Sequence, residues 1–456
     1  MKRNSLTTAV VAGIAGVAGF ASLASAVDLN PDGLGQVLIY PYYTVNKNQA
    51  TEISVVNSTG TAQAVKVRFL EGYDSREVLD FNLFLSKYDV WTASIFDLGP
   101  ALGQDPADGP FGAAITTSDN SCTAPLIANS DLPTIPGTDK HYQPFLDNAY
   151  AGGDDGGPTD IGRTREGHIE MISLAALSGG TAAAVTHSGG VPADCGAVQN
   201  LDSLPEGDEA TPSSGLFGAG AIFNVAEGVF YGYNADAIDG FTDVPLFTAQ
   251  DSTEPQLTRA NTAGTAGAIA YVFNKGDLIT STYTAANAID AVSAVYASES
   301  LFNEYNVDPD VGSNTDWVVT FPTKRFYVDP GFVGSTAIPP FVHAFDGLSC
   351  TVVDINIYDR EERTTTGPSP GFSPPSPGQP PSSLCLETNV ISFLAPADAG
   401  VSGVFGSNLV SNINPLATSG WLRLGLNPPA EPHAMRASIE GNVFNGLPAT
   451  GFAAES

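Results

Sequence analysis

The chain has 456 residues, and its 18 lysines and arginines stand against 49 aspartates and glutamates, a formal net charge of −31. Phosphate recognition depends on Lys and Arg, so this balance excludes nucleic acid and anionic lipid headgroups as partners. An apolar content of 43% excludes a disordered chain, and 48 Gly with 33 Pro imply short strands joined by many turns.

The first 26 residues read as a signal peptide. Lys2 and Arg3 give a basic start, residues 8–23 are uncharged and apolar or small, and Ala24-Ser25-Ala26 supplies small residues at the −3 and −1 positions of a cleavage site. The run is short and Gly/Ala-rich for a membrane anchor, and Asp28 rather than a basic stop follows it. Cleavage after Ala26 leaves Val27, not Cys, at the new terminus, so no lipid anchor is expected. No later stretch is apolar enough for a transmembrane span. The mature protein is expected to be secreted, at the cell surface or extracellular, with the periplasm as the alternative.

Residues 36–45 predict a strand in which Pro41 demands an edge position or a bulge. A second strand covers 51–57. Residues 64–71 alternate, with Val65, Val67 and Phe69 on one face and Lys66 and Arg68 on the other, as in a half-buried strand. Strands at 78–85 and 90–96 follow. Five short strands at this spacing predict an N-terminal β-sandwich over 27–105.

The run TEISVVNSTGTAQAVKVRFLEGYDSREVLDFNLFLSKYDVWTASI resembles bacterial immunoglobulin-like modules, with Asn57, Val65, Val67, Phe69, Phe81, Leu83 and Leu85 at the matching places. The chain as a whole is similar to a group of secreted proteobacterial proteins labelled "cell surface protein". GQVLIYPYYT, GRTREGHIEMI, DWVVTFPTKRFYVD and YDREE carry that likeness. The resemblance implies an Ig-like sandwich and a surface location, and it supplies no activity or site.

A larger β-rich region, 106–456, is expected to follow. Residues 97–162 read as long loops anchored by Cys122, and strands are expected at 163–177 and 218–233. Residues 284–305 carry apolar side chains at helical spacing and predict the one helix. Residues 308–316 form an acidic loop, and 317–328 a strand pair or a strand bent at Pro322. Further strands are expected at 351–358, 386–394, 420–426 and 438–444, with a Pro-rich loop at 367–383.

Four cysteines, Cys122, Cys195, Cys350 and Cys385, allow three disulfide connectivities. The spacing favours Cys122–Cys195 and Cys350–Cys385. A four-thiolate metal site competes, but no C-x-x-C pair is present.

Several motifs touch on chemistry. Asp28, Asn30 and Asp32, followed by Gly33, match the opening of a calcium loop and are candidate ligands, although Ile39 stands where a Glu is needed. Glu166, His168 and Glu170 share one strand face and are the second candidate metal or acid–base set, beside Arg163 and Arg165. The acidic groups Asp308/Asp310/Asp316 and Asp154/Asp155/Asp160 read as solvated turns. His187-Ser188 near Asp194 lacks triad spacing, and His141, His343 and His433 are scattered. Leu447-Pro-Ala-Thr-Gly451 spells a sorting signal without its hydrophobic tail and reads as a turn. Gly367-Pro-Ser-Pro-Gly371 lacks the strand–turn–helix context of a nucleophile elbow. Trp91, Trp317 and Trp421 are of a type that stacks on sugars, but each sits in a strand pattern and is expected in the core.

The sequence thus predicts a mainly all-β protein with no catalytic residue and no cofactor apart from candidate calcium. Its expected role is structural or adhesive, with surface or matrix components, a glycan or a second copy as partners. A soluble glycan- or cation-binding protein and a secreted carboxylate-dependent hydrolase are the alternatives.

Overall fold

The computed structural model describes residues 26–105, 109–127, 130–152, 155–261, 267–366, 383–393, 400–415 and 417–456. The signal peptide expected at 1–26 and the Pro-rich loop expected at 367–383 lie outside the described residues, except for Ala26 and Ser383. Strands make up 41% of the chain and helices 11%, which places it in the all-β class.

The first strands fall where alternation predicts them: β1 Val37–Thr44, β2 Ala50–Asn57, β3 Ala62–Glu71, β4 Glu77–Leu85 and β5 Val90–Asp97, whereas β6 Ala113–Thr116 lies in the segment expected as long loops. Four more belong with them: β7 Glu166–Leu177, β8 Leu216–Asn224, β9 Val229–Asn234 and β10 Asp236–Asp239. Together they form two packed sheets. One runs β10-β1-β7-β3-β4, with short strands at both edges, and the other runs β9-β8-β2-β5-β6. Between them Tyr40, Val67, Phe69, Phe81 and Leu83 meet Ile53, Val55, Trp91 and Ile95 in one buried core. The sandwich does not close within 27–105, because β7 lies between β1 and β3, and β8 pairs β2.

Pro41 is accommodated by a bulge inside the sheet. Tyr43 pairs Gly167 and Tyr40 pairs Ile169, so Pro41 and Tyr42 together oppose His168 alone. The Pro41 carbonyl instead accepts from the Thr320 hydroxyl at 2.6 Å. Gly218 and Gly220 leave room for tyrosines beneath β8: an added Cβ would lie 1.9 Å from the Tyr40 hydroxyl and 2.2 Å from the Tyr233 ring, respectively.

The expected half-exposure of β3 is corrected. All ten of its residues are buried, Lys66 and Arg68 included. Its polar face is covered because the second half of the chain packs over the first sheet. There Val37, Ile39, Ile172 and Ile238 share a second core with Ala291, Val292, Trp317 and Tyr327.

That half contains a hairpin, β11 Ala268–Asn274 and β12 Asp277–Tyr283, and helix α1 Ile289–Tyr296. The helix is shorter than the expected 284–305. The chain turns extended at Ala297 and continues as β13 Ser300–Asn306, where period-2 alternation sends Tyr305 inward and Phe302 and Glu304 outward. The remaining strands of three or more residues are β14 Thr315–Thr320, β15 Asp354–Asp359, β16 Thr364–Thr366, β17 Thr388–Ser392, β18 Val410–Asn412, β19 Ser419–Gly425 and β20 Thr450–Glu455. They make two four-stranded sheets, β13-β19-β15-β16 and β18-β17-β14-β20.

Residues 317–328, expected as strand, turn helical beyond Phe321, with a short helix at Arg325–Val328. Residues 438–444 form no strand. The segment 447–451, expected as a turn, is strand: Thr450 and Gly451 pair with Thr320 and Val319. Cys122–Cys195 and Cys350–Cys385 are both bonded, the pairing that the spacing favours.

Candidate functional site

The candidate calcium residues do not converge. Asp28 lies opposite Asp239 in a short strand, and burial, followed by the Asp239 charge, raises its carboxyl to about 6. The Asn30 side chain is spent on its own turn, donating to the Leu34 carbonyl at 2.7 Å and accepting from the Asp32 amide at 2.9 Å. Asp32 is exposed. In the acidic groups, Asp316 is buried and accepts from Ser392, Val404 and Phe405. Asp155 pairs with Arg163 at 2.7 Å, Asp160 caps a turn, and Asp154 lies outside the described residues.

Glu166, His168 and Glu170 are all buried, each in separate surroundings. Glu166 accepts from Tyr42 at 2.8 Å, Ser407 at 2.5 Å and the Asn408 amide at 2.8 Å. Burial nevertheless raises its pKa. Glu170 accepts from Arg68 at 2.8 Å. Among the described residues His168 has no hydrogen-bond partner on either ring nitrogen, and burial, then the Arg68 charge, lowers it to about 3. Among the described residues no three His, Cys, Asp or Glu side chains are grouped to hold a metal ion.

Glu170 belongs to an ion-pair layer between the sandwich and the half that covers it. Arg68 also reaches Glu77 at 3.2 Å, Lys66 pairs with Asp80, and Arg163 holds both oxygens of Glu71 at 2.7 and 2.9 Å. Each is a buried charge with a partner, the condition under which a charge survives inside a protein. Their chemistry is to fix the layers.

The histidines stay dispersed. His187 faces Asp89 and Ser86, and His141 contacts the Leu132 carbonyl. His343 meets Glu431, and His433 sits between the Pro340 and Val352 carbonyls. Trp91 and Trp317 are buried as expected, but Trp421 is 40% exposed.

Trp421 stands on the open face of the β13-β19-β15-β16 sheet. The other face carries Leu422, Leu424, Ile355, Ile357 and Tyr305 into the second core. The register sets two rows on the open face: Glu304, Trp421, Tyr358 and Thr364 in one, and Phe302, Arg423 and Asn356 in the next. Tyr358 stacks on Trp421 with ring centroids 4.2 Å apart, and Phe302, 62% exposed, lies 6.5 Å from Trp421 on its other side. The side chains of Glu304, Arg423 and Asn356 have no hydrogen-bond or ion-pair partner among the described residues. Beside the row, a groove of about 290 Å³ runs between β13 and the strands β14 and β20, lined by Phe302, Asn303, Trp317, Thr450 and Phe452.

Three adjacent rings form an apolar patch flanked by uncommitted polar groups, an arrangement suited to a ligand with apolar faces and hydroxyl edges. The sequence held a signal for it: in SGWLRLG, Leu422 and Leu424 mark the buried side, which sends Trp421 and Arg423 outward. No family model, curated protein or solved structure matches this chain.

Proposed function

We propose that the chain is a secreted, non-catalytic adhesive protein of the cell surface or extracellular matrix that holds a glycan on the Phe302–Trp421–Tyr358 row. The observation that carries this reading is the stacked, exposed aromatic row with free Glu304, Arg423 and Asn356 beside it. Tyr358 and Trp421 cover each other's facing surfaces, so the ring surface left for the apolar face of a sugar is that of Phe302 and the uncovered part of Trp421, while the flanking donors and acceptors take its hydroxyls. The charge of −31 favours neutral or amino sugars over uronate or sulfated ones. The likeness to proteins labelled "cell surface protein" and the two disulfides are in keeping with an exported role.

The test is a fluorescence titration of the mature protein with a panel of soluble neutral, amino-sugar and uronate oligosaccharides. A saturable change with neutral or amino sugars is expected, abolished in Trp421→Ala and weakened in Tyr358→Ala with melting temperatures unchanged. No response to the panel, or a response that survives Trp421→Ala, overturns the reading.

A further inference from the structure

The sheet β9-β8-β2-β5-β6 buries one face in the sandwich and leaves the other open. Pairing puts Asn234, Ala219, Ser54 and Thr92 in one row on the open face, and Gly232, Ala221, Glu52 and Ser94 in the next. These two rows are the floor of a shallow trough. Its walls are apolar: Phe217, Val56 and Val90 on one side, Phe230 and Phe223 on the other. Phe230 is 69% exposed, Val90 46% and Phe217 43%. A hollow of about 440 Å³ lies over the floor, lined by Glu52, Ser54, Ala219, Ala221, Gly232 and Phe230.

Charge selects the occupant. Of the side chains that these strands direct outward, Glu52 is the single charged one, on a chain whose net charge is −31. Two copies repel through their acidic faces, and this face, with one acid per copy, carries little of that repulsion. Shape points the same way. A small-residue floor between apolar ridges is self-complementary: under a two-fold axis, each copy's phenylalanine ridge enters the other's trough, as in an isologous contact. Four strands at ~4.8 Å spacing and about seven residues at ~3.4 Å give a footprint on the order of 500 Å², near the low end for a specific dimer.

We infer that this open face is where two copies of the chain associate. The inference does not rest on the glycan reading, since the aromatic row lies on a different sheet.

Sedimentation velocity of the mature protein from about 1 to 100 μM tests it. Wild type is expected to shift from monomer to dimer across this range, and more readily at high salt, where the acidic surfaces are screened. Phe230→Lys, at an exposed site that tolerates the change, is expected to raise the dissociation constant at least tenfold with the melting temperature kept. Ala219→Glu, in the floor, is expected to do the same, because it adds an acid to the contact. A monomer at every concentration overturns the inference. So does a dimer that survives both substitutions, or one that Trp421→Ala abolishes.

Discussion

Arg68 of β3 and Glu170 of β7 meet at 2.8 Å on neighbouring strands, with 2% and 1% of their side chains exposed. Such a pair contributes little net stability, and because Arg68 also reaches Glu77 at 3.2 Å, removing Glu170 leaves the guanidinium one carboxylate, at a cost below the ~3–5 kcal/mol of a wholly unpaired buried charge. Glu170→Ala is therefore expected to lower the urea midpoint at unchanged slope. Arg68→Met/Glu170→Met should recover most of the loss. A Glu170→Ala protein within about 0.5 kcal/mol of wild type would mean that water reaches the pair.

Stability is expected to peak on the acid side of neutrality. Burial, then the Asp329 charge, lifts Asp74 to about 8. Burial lifts Asp28 and Asp80 to about 6, helped by Asp239 and Glu77. Arg76 lies 3.1 Å from Asp74, yet neither Asp74 carboxyl oxygen accepts a hydrogen bond from the described residues. Each of these groups keeps a proton in the folded chain that the unfolded chain releases above ~4, so their contribution falls as pH rises from about 4 toward 8. His168, lowered to about 3, acts oppositely: its contribution is complete above ~6.5 and is lost as pH falls toward 3. Melting temperatures across pH 4.5–8.5 should decline above about pH 6, and Asp74→Asn should flatten that decline. A curve that rises from pH 5.5 to 8 contradicts the assignment.

The three tryptophans separate packing from surface. Trp91 is fully buried against Phe81, so Trp91→Ala should cost about 3–5 kcal/mol. Trp421→Ala should cost within about 1 kcal/mol. Acrylamide quenching should reach one tryptophan in three and lose that component in Trp421→Ala. Equal quenching of both proteins would place Trp421 under cover.

The disulfides span sequence separations of 73 and 35 residues. Closing loops of that size stabilises by about 4 kcal/mol each on the chain-entropy account, slightly more for the longer. Paired Ser substitutions at Cys122 and Cys195 should thus lower stability a little more than those at Cys350 and Cys385, as read by urea unfolding. The reverse order would mean that packing around Cys350 outweighs loop length.

Period-2 alternation made β1 to β5 legible to within a residue or two, because local pattern and burial agree there. It misjudged Lys66 and Arg68 because alternation reports side-chain polarity, not what lies across the face, and the cover comes from residues beyond 240 in the chain. Residues 297–306 carry apolar side chains that fit both periods. Pairing with β19 decides for strand, a choice made by a partner more than a hundred residues away. Glu166, His168 and Glu170 do share a strand, but nothing local reveals that Ser407, Asn408 and Arg68 claim the two carboxylates. The aromatic row is divided among three strands, and long-range register alone brings it together.

The strand β20 lies against the first half of the chain. Its Phe452 stacks on Tyr233 with centroids 4.8 Å apart, and Thr450 bonds the Asp236 carboxylate. At the other end Val27 is fully buried, exchanging backbone hydrogen bonds with Ile269 and Tyr271. Residues near 450 thus help to fill the core of the N-terminal sandwich, which takes in Ala454 and Phe452. On the export route proposed above, a core filled this late would keep the polypeptide threadable during passage, with folding completed where the thiols can be oxidised.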